Sequence, residues 1–360
     1  DTARLFNTKE TISALEMVFF CLKLVDKFEI TIMRVAKYSK FGAAKDVLIL
    51  DEIPKQPLGD NEVLIEIRTS GVNPSDVKKR AGAFPDLLDN GYVIPHSDGA
   101  GKIVDVGKNI SEKRIGERVW IYQGQFEREH GTAAEFINID SKLAVHLPDQ
   151  ASYEIGACIG IPIMTAHRCV YSDGKVDGKN ILVTGGAGRV GNYAIQWAKL
   201  SGANVIATAS NDFDKEVCLS AGADQVVNHK EEDWGLKAVE VNNGCKFDRL
   251  VDVEFGQNLD NSLVALKTGA IIATYSSTKD PQPKLPFLKM MYMDLTVRLI
   301  IVYAMPDQAK MEAISDITDA LKKNKLNHRI MKSFSLNDIA SSHELIESGT
   351  TNGCVLINID

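Results

Sequence analysis

The chain is poor in the features that usually assign a protein at a glance. Its six cysteines in 360 residues (Cys21, Cys158, Cys169, Cys218, Cys245 and Cys354) are scattered, with no Cys-x-x-Cys pair and no Cys/His cluster at zinc spacing. That excludes a zinc ribbon, gives no metal site, and fits reduced thiols in a reducing compartment such as the cytoplasm. Positive charge is not in excess: 41 Lys and Arg stand against 48 Asp and Glu, a net charge of −7. A nucleic-acid surface calls for the opposite balance or for long basic runs, so composition does not indicate one. Long apolar runs are also missing. Met17 to Leu22 is apolar but spans six residues, with Glu16, Lys23, Asp26 and Lys27 close by. It is too short to cross a bilayer and lacks the longer apolar region and cleavage site of a secretory signal. Residues 1–32 therefore read as an amphipathic extension without a catalytic role, or as an organelle-targeting leader. There is no internal repeat and no low-complexity linker.

Glycine is present where it is informative. Ile181 to Thr184 is a short apolar run, and Gly186, Gly188 and Gly191 follow it as G-x-G-x-x-G. Such glycines allow a tight turn, close approach of the backbone to a pyrophosphate and close packing of helix on strand. Val190, Ala194, Trp197 and Ala198 then recur at helical spacing, and Ala203 to Ala209 reads as the next strand. This strand, turn, helix and strand form a βαβ unit whose helix N-terminus faces a dinucleotide with free N–H groups and a positive dipole end.

Alternation of pattern divides the rest. From Met33 to about residue 155, strands are separated by turns: Val47 to Leu50, Glu62 to Ile67, Gly101 to Val106, Arg118 to Ile121 and Thr132 to Ile139. From about 156 to 324, strands alternate with helices, at Ile181 to Thr184, Val205 to Ala209, Gln225 to Asn228, Arg249 to Val253 and Ala270 to Thr274. The expected fold class is α/β: a Rossmann-type doubly wound parallel sheet, with its ligand at the carboxyl ends of the strands, plus a β-rich domain. Residues 325–360 end in an apolar strand at Cys354 to Ile359 that returns to the first domain.

Several motifs occur in order: Gly71 to Asp76, His96 to Gly101, Gly107-Lys108, Gly116 to Val119, Gly160 to Pro162 with Thr165-Ala166, and Val183 to Gly191. On these, the chain from Met33 to Asp360 resembles the zinc-free quinone oxidoreductases, the zeta-crystallin branch of the medium-chain dehydrogenase/reductase superfamily. The resemblance implies a GroES-like domain built from both chain ends, an inserted nucleotide-binding domain, NADPH as cofactor and a homodimer formed along sheet edges. It also implies no catalytic zinc, since Asn73, Ser97 and Ile161 stand at or near the positions of the ligands in zinc alcohol dehydrogenases, and His96 is one residue off. Without a Lewis acid to lower an alcohol's pKa, reduction of an electron-poor acceptor is the expected direction.

By the same resemblance the cofactor is held by the turn, Gly186 to Gly191 with Ala187, Arg189 and Val190, and by Thr165 and Tyr275. Lys215 pairs with a 2′-phosphate, Ser210 donates to it, and His229 lies against the adenosine. A carboxylate at the end of the second strand would instead favour NADH; here that strand ends Ala207-Thr-Ala-Ser210, with Asp212 and Asp214 just beyond. The competing reading of Lys215 is a solvated helix charge. For catalysis the candidates are Asn73, Asp76, Lys78 and Arg298. The Asn73 amide can hydrogen-bond an oxygen as it gains charge. Lys78 and Phe84 stand where the family has tyrosines, leaving the proton donor open. The expected reaction is hydride transfer from NADPH to a quinone or an α,β-unsaturated carbonyl. A trans-2-enoyl thioester reductase, or an NADPH-binding protein with a structural or RNA-binding task, are the alternatives.

Overall fold

The computed structural model describes residues 32–359, so the extension assigned to residues 1–32 lies almost wholly outside it. The described residues open with β1 (Ile32–Lys37), α1 (Ala44–Val47) and β2 (Ile49–Pro54), the two strands pairing antiparallel. It continues through β3 (Glu62–Val72), α2 (Pro74–Arg80), β4 (Asp98–Val106), β5 (Arg118–Ile121), β6 (Phe136–Asp140), β7 (Ala144–His146) and α3 (Tyr153–Cys158). In β3 the alternate residues Val63, Ile65 and Ile67 turn to one face and are fully buried, the period-two pattern of a half-buried strand.

An alternating segment follows: α4 (Ile161–Tyr171), β8 (Asn180–Val183), α5 (Arg189–Leu200), β9 (Asn204–Ala209), α6 (Asp212–Ser220), β10 (Gln225–Asn228), α7 (Trp234–Val241) and β11 (Phe247–Asp252). It closes with α8 (Phe255–Ala265), β12 (Leu266–Thr274), α9 (Phe287–Tyr292), β13 (Thr296–Leu299) and α10 (Asp307–Lys322). Its six strands lie in the order β10-β9-β8-β11-β12-β13, every pair parallel. That is the doubly wound order, with the topological switch between β8 and β11. The last elements, β14 (Ile330–Ser335), α11 (Ile339–Glu347) and β15 (Cys354–Asn358), return to the first sheet. There the order is β14-β15-β3-β4-β5-β7, with β6 also on β3.

Several strand expectations shift: β3 runs on to Val72 and β4 begins at Asp98. Val47 ends α1, where Ala44 and Val47 bury on one helical turn, and the strand begins only at Ile49. Thr132 lies ahead of β6 with its hydroxyl engaged by Ser70 and the Asp98 carbonyl. β12 starts at Leu266 rather than Ala270. One apolar cluster runs without a break from Trp120 and Leu147 of the first sheet through Ala157 to Ala194 and Ile195 of α5, so the two halves share a core. Among the described residues no helix is long and apolar enough to cross a membrane.

A second, polar connection is buried under α11. The Nε2 atoms of His96 and His343 lie 3.0 Å apart, and His96 Nδ1 lies 2.8 Å from Ser70 Oγ. Ser70 Oγ lies 2.7 Å from Thr132 Oγ1, and Thr132 donates to the Asp98 carbonyl at 2.6 Å. Thr132 has one hydroxyl proton, so Ser70 donates to Thr132, His96 Nδ1–H donates to Ser70, and His343 Nε2–H donates to His96. Burial holds both imidazoles far below their usual range, His96 at about 3. A depressed histidine contributes stability above its unfolded pKa and loses it as pH falls. His343→Gln should therefore lose less stability than the wild type between pH 7 and pH 5, by about 2 kcal/mol in urea unfolding. Equal losses in the two proteins would show that His343 is not held neutral.

Candidate active site

The glycine turn sits at the carboxyl end of β8. A Cβ on Gly191 would fall 2.4 Å from the Gly185 carbonyl oxygen, and one on Gly186 2.8 Å from Cys218 Sγ, so both positions are closed to any side chain. Gly188 is the N-cap of α5, whose buried face (Ala194, Ile195, Trp197, Ala198) packs on the sheet. The first N–H groups of such a helix lack intrahelical carbonyls and point at whatever occupies the turn. Tight below and open at the helix end, the cradle suits a diphosphate.

Beyond the turn, Ser210 directly follows β9 and Lys215 is exposed on α6, where Lys215 lines an open pocket of 640 Å³ with Asn211, Asp212 and Asn228. His229 follows β10 with its Nδ1 3.2 Å from Thr208 Oγ1. Burial, then the charges of Lys279 and Lys230, lowers its pKa. Lys279, from the loop after β12, had no signal in the sequence; the fold brings it there. Thr165 is buried within α4 and donates to the Ile161 carbonyl at 2.6 Å, while Tyr275 follows β12 with its N–H on the Asp252 carbonyl at 3.2 Å.

A buried polar cluster lies where the two halves meet. The Asn73 backbone N–H donates to Asp76 Oδ2 at 2.8 Å, which holds the start of α2, and Asn73 Nδ2 donates to Asp98 Oδ2 at 2.8 Å. Asp98 also receives the Ile161 N–H at the start of α4, at 2.9 Å. From the glycine turn, Arg189 reaches across to the Val72 carbonyl at 2.6 Å and to Asn73 Oδ1 at 3.2 Å. A carboxylate on one side and a guanidinium on the other leave the Asn73 amide a single orientation, with one Nδ2 hydrogen still free. Burial pushes Asp76 up to about 6 against the opposing charge of Lys79, and Asp98 up to about 7 against bonds from Asn73 and Ile161.

The lysine that enters this cluster is Lys79, not Lys78. Lys79 is buried and donates to the carbonyl of Gln125 and, at 2.7 Å, to its Oε1. Lys78 points outward and bonds Thr278 Oγ1 at 3.1 Å, across the mouth of the cleft. Phe84 is 55% exposed. Arg298 is not brought to the cluster: on the edge strand β13 its Nε donates to Asp173 Oδ2 at 3.1 Å, beside Arg249. Burial opposes the Asp173 charge, but bonds from Arg298, Ser172 and Arg249 hold that carboxyl well below its usual range. Arg298 is thereby committed to an ion pair behind the sheet. Asp98, Lys79 and Gln125 were not read as site residues in the sequence, and of these only Asp98, inside the His96 to Gly101 motif, carried any signal. Arg189 was read there as a cofactor residue, and its reach to Asn73 is what the structure adds.

Known proteins share both halves of this arrangement. Residues 59–149 match the alcohol dehydrogenase GroES-like domain, and residues 190–319 match the zinc-binding dehydrogenase family. The quinone oxidoreductase of Mus musculus is 30% identical over 242 residues, covering 66% of this chain and 71% of the mouse protein. The chain belongs to the zinc-free quinone oxidoreductase branch of the medium-chain dehydrogenase/reductase superfamily. A 2-methylene-furan-3-one reductase of Solanum lycopersicum is 32% identical over 208 residues, 56% of this chain and 53% of that protein. A mycobacterial structure complexed with NADPH superposes with a TM-score of 0.81 at 24% identity, covering 91% of this chain and 100% of that one. The oxidoreductase has the GroES-like and Rossmann halves of that superfamily. Its donor set differs from the zinc-binding members, because Asn73, Ser97 and Ile161 offer no metal-binding triad, and among the described residues no three His, Cys, Asp or Glu converge on one point.

The cluster's electrostatics give a signed expectation. A carboxyl raised to about 6 favours the fold while protonated, so its share of stability is present below about pH 4 and is lost as pH climbs to about 6. Asp76→Asn, which keeps an acceptor for the Asn73 N–H, should flatten that loss by about 2 kcal/mol between pH 4 and pH 7 in urea unfolding. A slope as steep as that of the wild type would show that Asp76 is not the titrating group.

Proposed function

We propose that the protein is an NADPH-dependent, zinc-independent reductase of quinones or α,β-unsaturated carbonyls. The observation that carries this reading is the reach of Arg189 from the glycine turn to Asn73, at 3.2 Å. It joins the dinucleotide cradle and the polar cluster in one cleft at the carboxyl ends of the parallel strands. The names of the mouse and tomato relatives support the acceptor class, and the mycobacterial complex supports the cofactor.

The cradle fits NADPH, which when bound supplies the hydride. Gly186 to Gly191, with Ala187, Arg189 and Val190, hold the diphosphate. Ser210, Lys215 and the positive surroundings of His229 hold the 2′-phosphate. Thr165 and Tyr275 border the nicotinamide end. The free Nδ2 hydrogen of Asn73 meets the acceptor oxygen as it gains charge, in a site where burial strengthens the bond. Asp76 and Asp98 fix that amide rather than touch the acceptor. Lys78, bonded to Thr278 over the cleft mouth, restricts water. Residues 33–155 and 325–360 form the acceptor-binding domain and residues 156–324 the nucleotide-binding domain.

The protein also forms a homodimer along the β13 edge. Leu299 and Ile301 are 76% and 56% exposed there, and Phe287, Leu288, Met291 and Tyr292 of α9 are at least 50% exposed beside them. A cluster of that size beside an unpaired strand edge is a surface that a second copy covers. A reducing compartment such as the cytoplasm suits the five described cysteines, all free thiols and four of them buried.

Steady-state oxidation of NADPH and NADH with an ortho-quinone, in the presence of a chelator, is the test. NADPH-selective turnover that survives chelation is expected, and Lys215→Glu should reduce the NADPH preference about tenfold through charge repulsion. No turnover with any quinone or enone would overturn the reading. Asn73→Ala should lower kcat about 100-fold, as loss of one oxyanion donor does, while NADPH affinity by fluorescence titration changes less. Unchanged turnover would remove Asn73 from the mechanism.

A further inference from the structure

Hydride transfer to a quinone or enone leaves an oxyanion that needs a proton, and none of the residues assigned so far delivers one. Lys78 is occupied at the cleft mouth, Thr165 is committed to the Ile161 carbonyl, and Asp76 Oδ2 and both oxygens of Asp98 are engaged by Asn73 and the start of α4. We propose that Tyr303 is the catalytic proton donor to the reduced acceptor. This rests on the reductase reading above.

Tyr303 lies in the short turn Val302–Ala304 that follows β13, at the carboxyl end of the parallel sheet. Its hydroxyl is 3.2 Å from Ser97 Oγ, one residue before Asp98. Ser97 has one proton and gives it to the Gln125 carbonyl at 3.3 Å, so the phenol is the donor to Ser97 and its O–H points into the polar cluster. The ring is held flat against Phe126, centroids 4.5 Å apart and planes 8° from parallel. Lys79 Nζ lies 5.0 Å from the Tyr303 ring centroid. Burial, with the Asp76 charge adding, pushes the phenol well above its usual range, so it carries its proton throughout the neutral range.

In the step, the acceptor takes the hydride with its two electrons and becomes a hydroquinone anion or an enolate. The Tyr303 O–H bond breaks and a new O–H bond forms on the acceptor oxygen. The phenolate, beside the Lys79 ammonium, regains its proton from water, so each turnover consumes one NADPH and one proton. The Ser97 hydroxyl holds the phenol in the absence of an acceptor, and the acceptor oxygen replaces it.

Tyr303→Phe keeps the ring on Phe126 and beneath Lys79 and removes only the hydroxyl. Its kcat with an ortho-quinone and with an enone should fall about 100-fold, the usual share of a general acid, while the acceptor KM and the NADPH Kd stay within threefold. Independently of turnover, calorimetric binding of 1,2-dihydroxynaphthalene to the full chain, with and without NADP+, should weaken about tenfold through loss of one hydrogen bond. A kcat within threefold of wild type together with unchanged quinol affinity overturns the proposal and leaves the reductase reading standing. If the wild type reduces no acceptor, that reading fails, and equal quinol affinities for wild type and variant then overturn the role of Tyr303 as well.

Discussion

One buried carboxylate, Asp98, joins the parts on which the rest of the molecule depends. It begins β4, receives the Asn73 side chain from the start of α2, and receives the Ile161 N–H from the start of α4. A carboxylate at a helix N-terminus is favoured by the free N–H groups and the dipole there, which offsets part of its burial. The geometry around it leaves no slack: a Cβ on Gly160 would fall 2.0 Å from Asp98 Oδ1, so the chain entering α4 must be glycine. Removing the carboxylate would free Asn73 to turn over and would leave the first turn of α4 without its acceptor.

The charges around Asp98 account for why the cleft is built from both halves. Two carboxyls without cations would be protonated at neutral pH, and a protonated pair would not orient an amide. Lys79 comes from the same helix as Asp76, whereas Arg189 comes from the nucleotide-binding half. The two halves are thus held by a continuous apolar core on one side and by a charged, hydrogen-bonded seam on the other. The apolar part supplies most of the attraction. The seam supplies the direction, because only one register places a guanidinium over Asn73.

What could be read from the amino-acid sequence was local. The glycine turn, the alternation of Val63, Ile65 and Ile67, and the succession of short apolar strands and helices each depend on residues a few positions apart, and the fold class follows from them. The choice between Lys78 and Lys79 does not. Successive residues on a helix differ by about 100° in direction, so an error of one position exchanges a buried side chain for a solvated one. Arg298 misled for a similar reason: its neighbours are apolar, but its partner is Asp173, 125 positions away. Arg189 with Asn73, and Tyr303 with Ser97, are 116 and 206 positions apart, beyond what spacing or composition can report.

The return of the last strand has a consequence for how the chain is made. β15 (Cys354–Asn358) lies between β14 and β3, where Val355 pairs with Val72 and Leu356 with Gly71. During synthesis β3 emerges early and exposes that edge, along with the apolar residues β15 will cover, until residues 354–358 have been translated. The nucleotide-binding half has no such debt, since all six of its strands lie between Asn180 and Leu299. Domains fold as units while the chain is extended, so the inserted half becomes native first and the half that surrounds it last. A ribosome stalled before Cys354 would therefore carry a finished dinucleotide cradle beside an open sheet edge, a form exposed to chaperones and to aggregation.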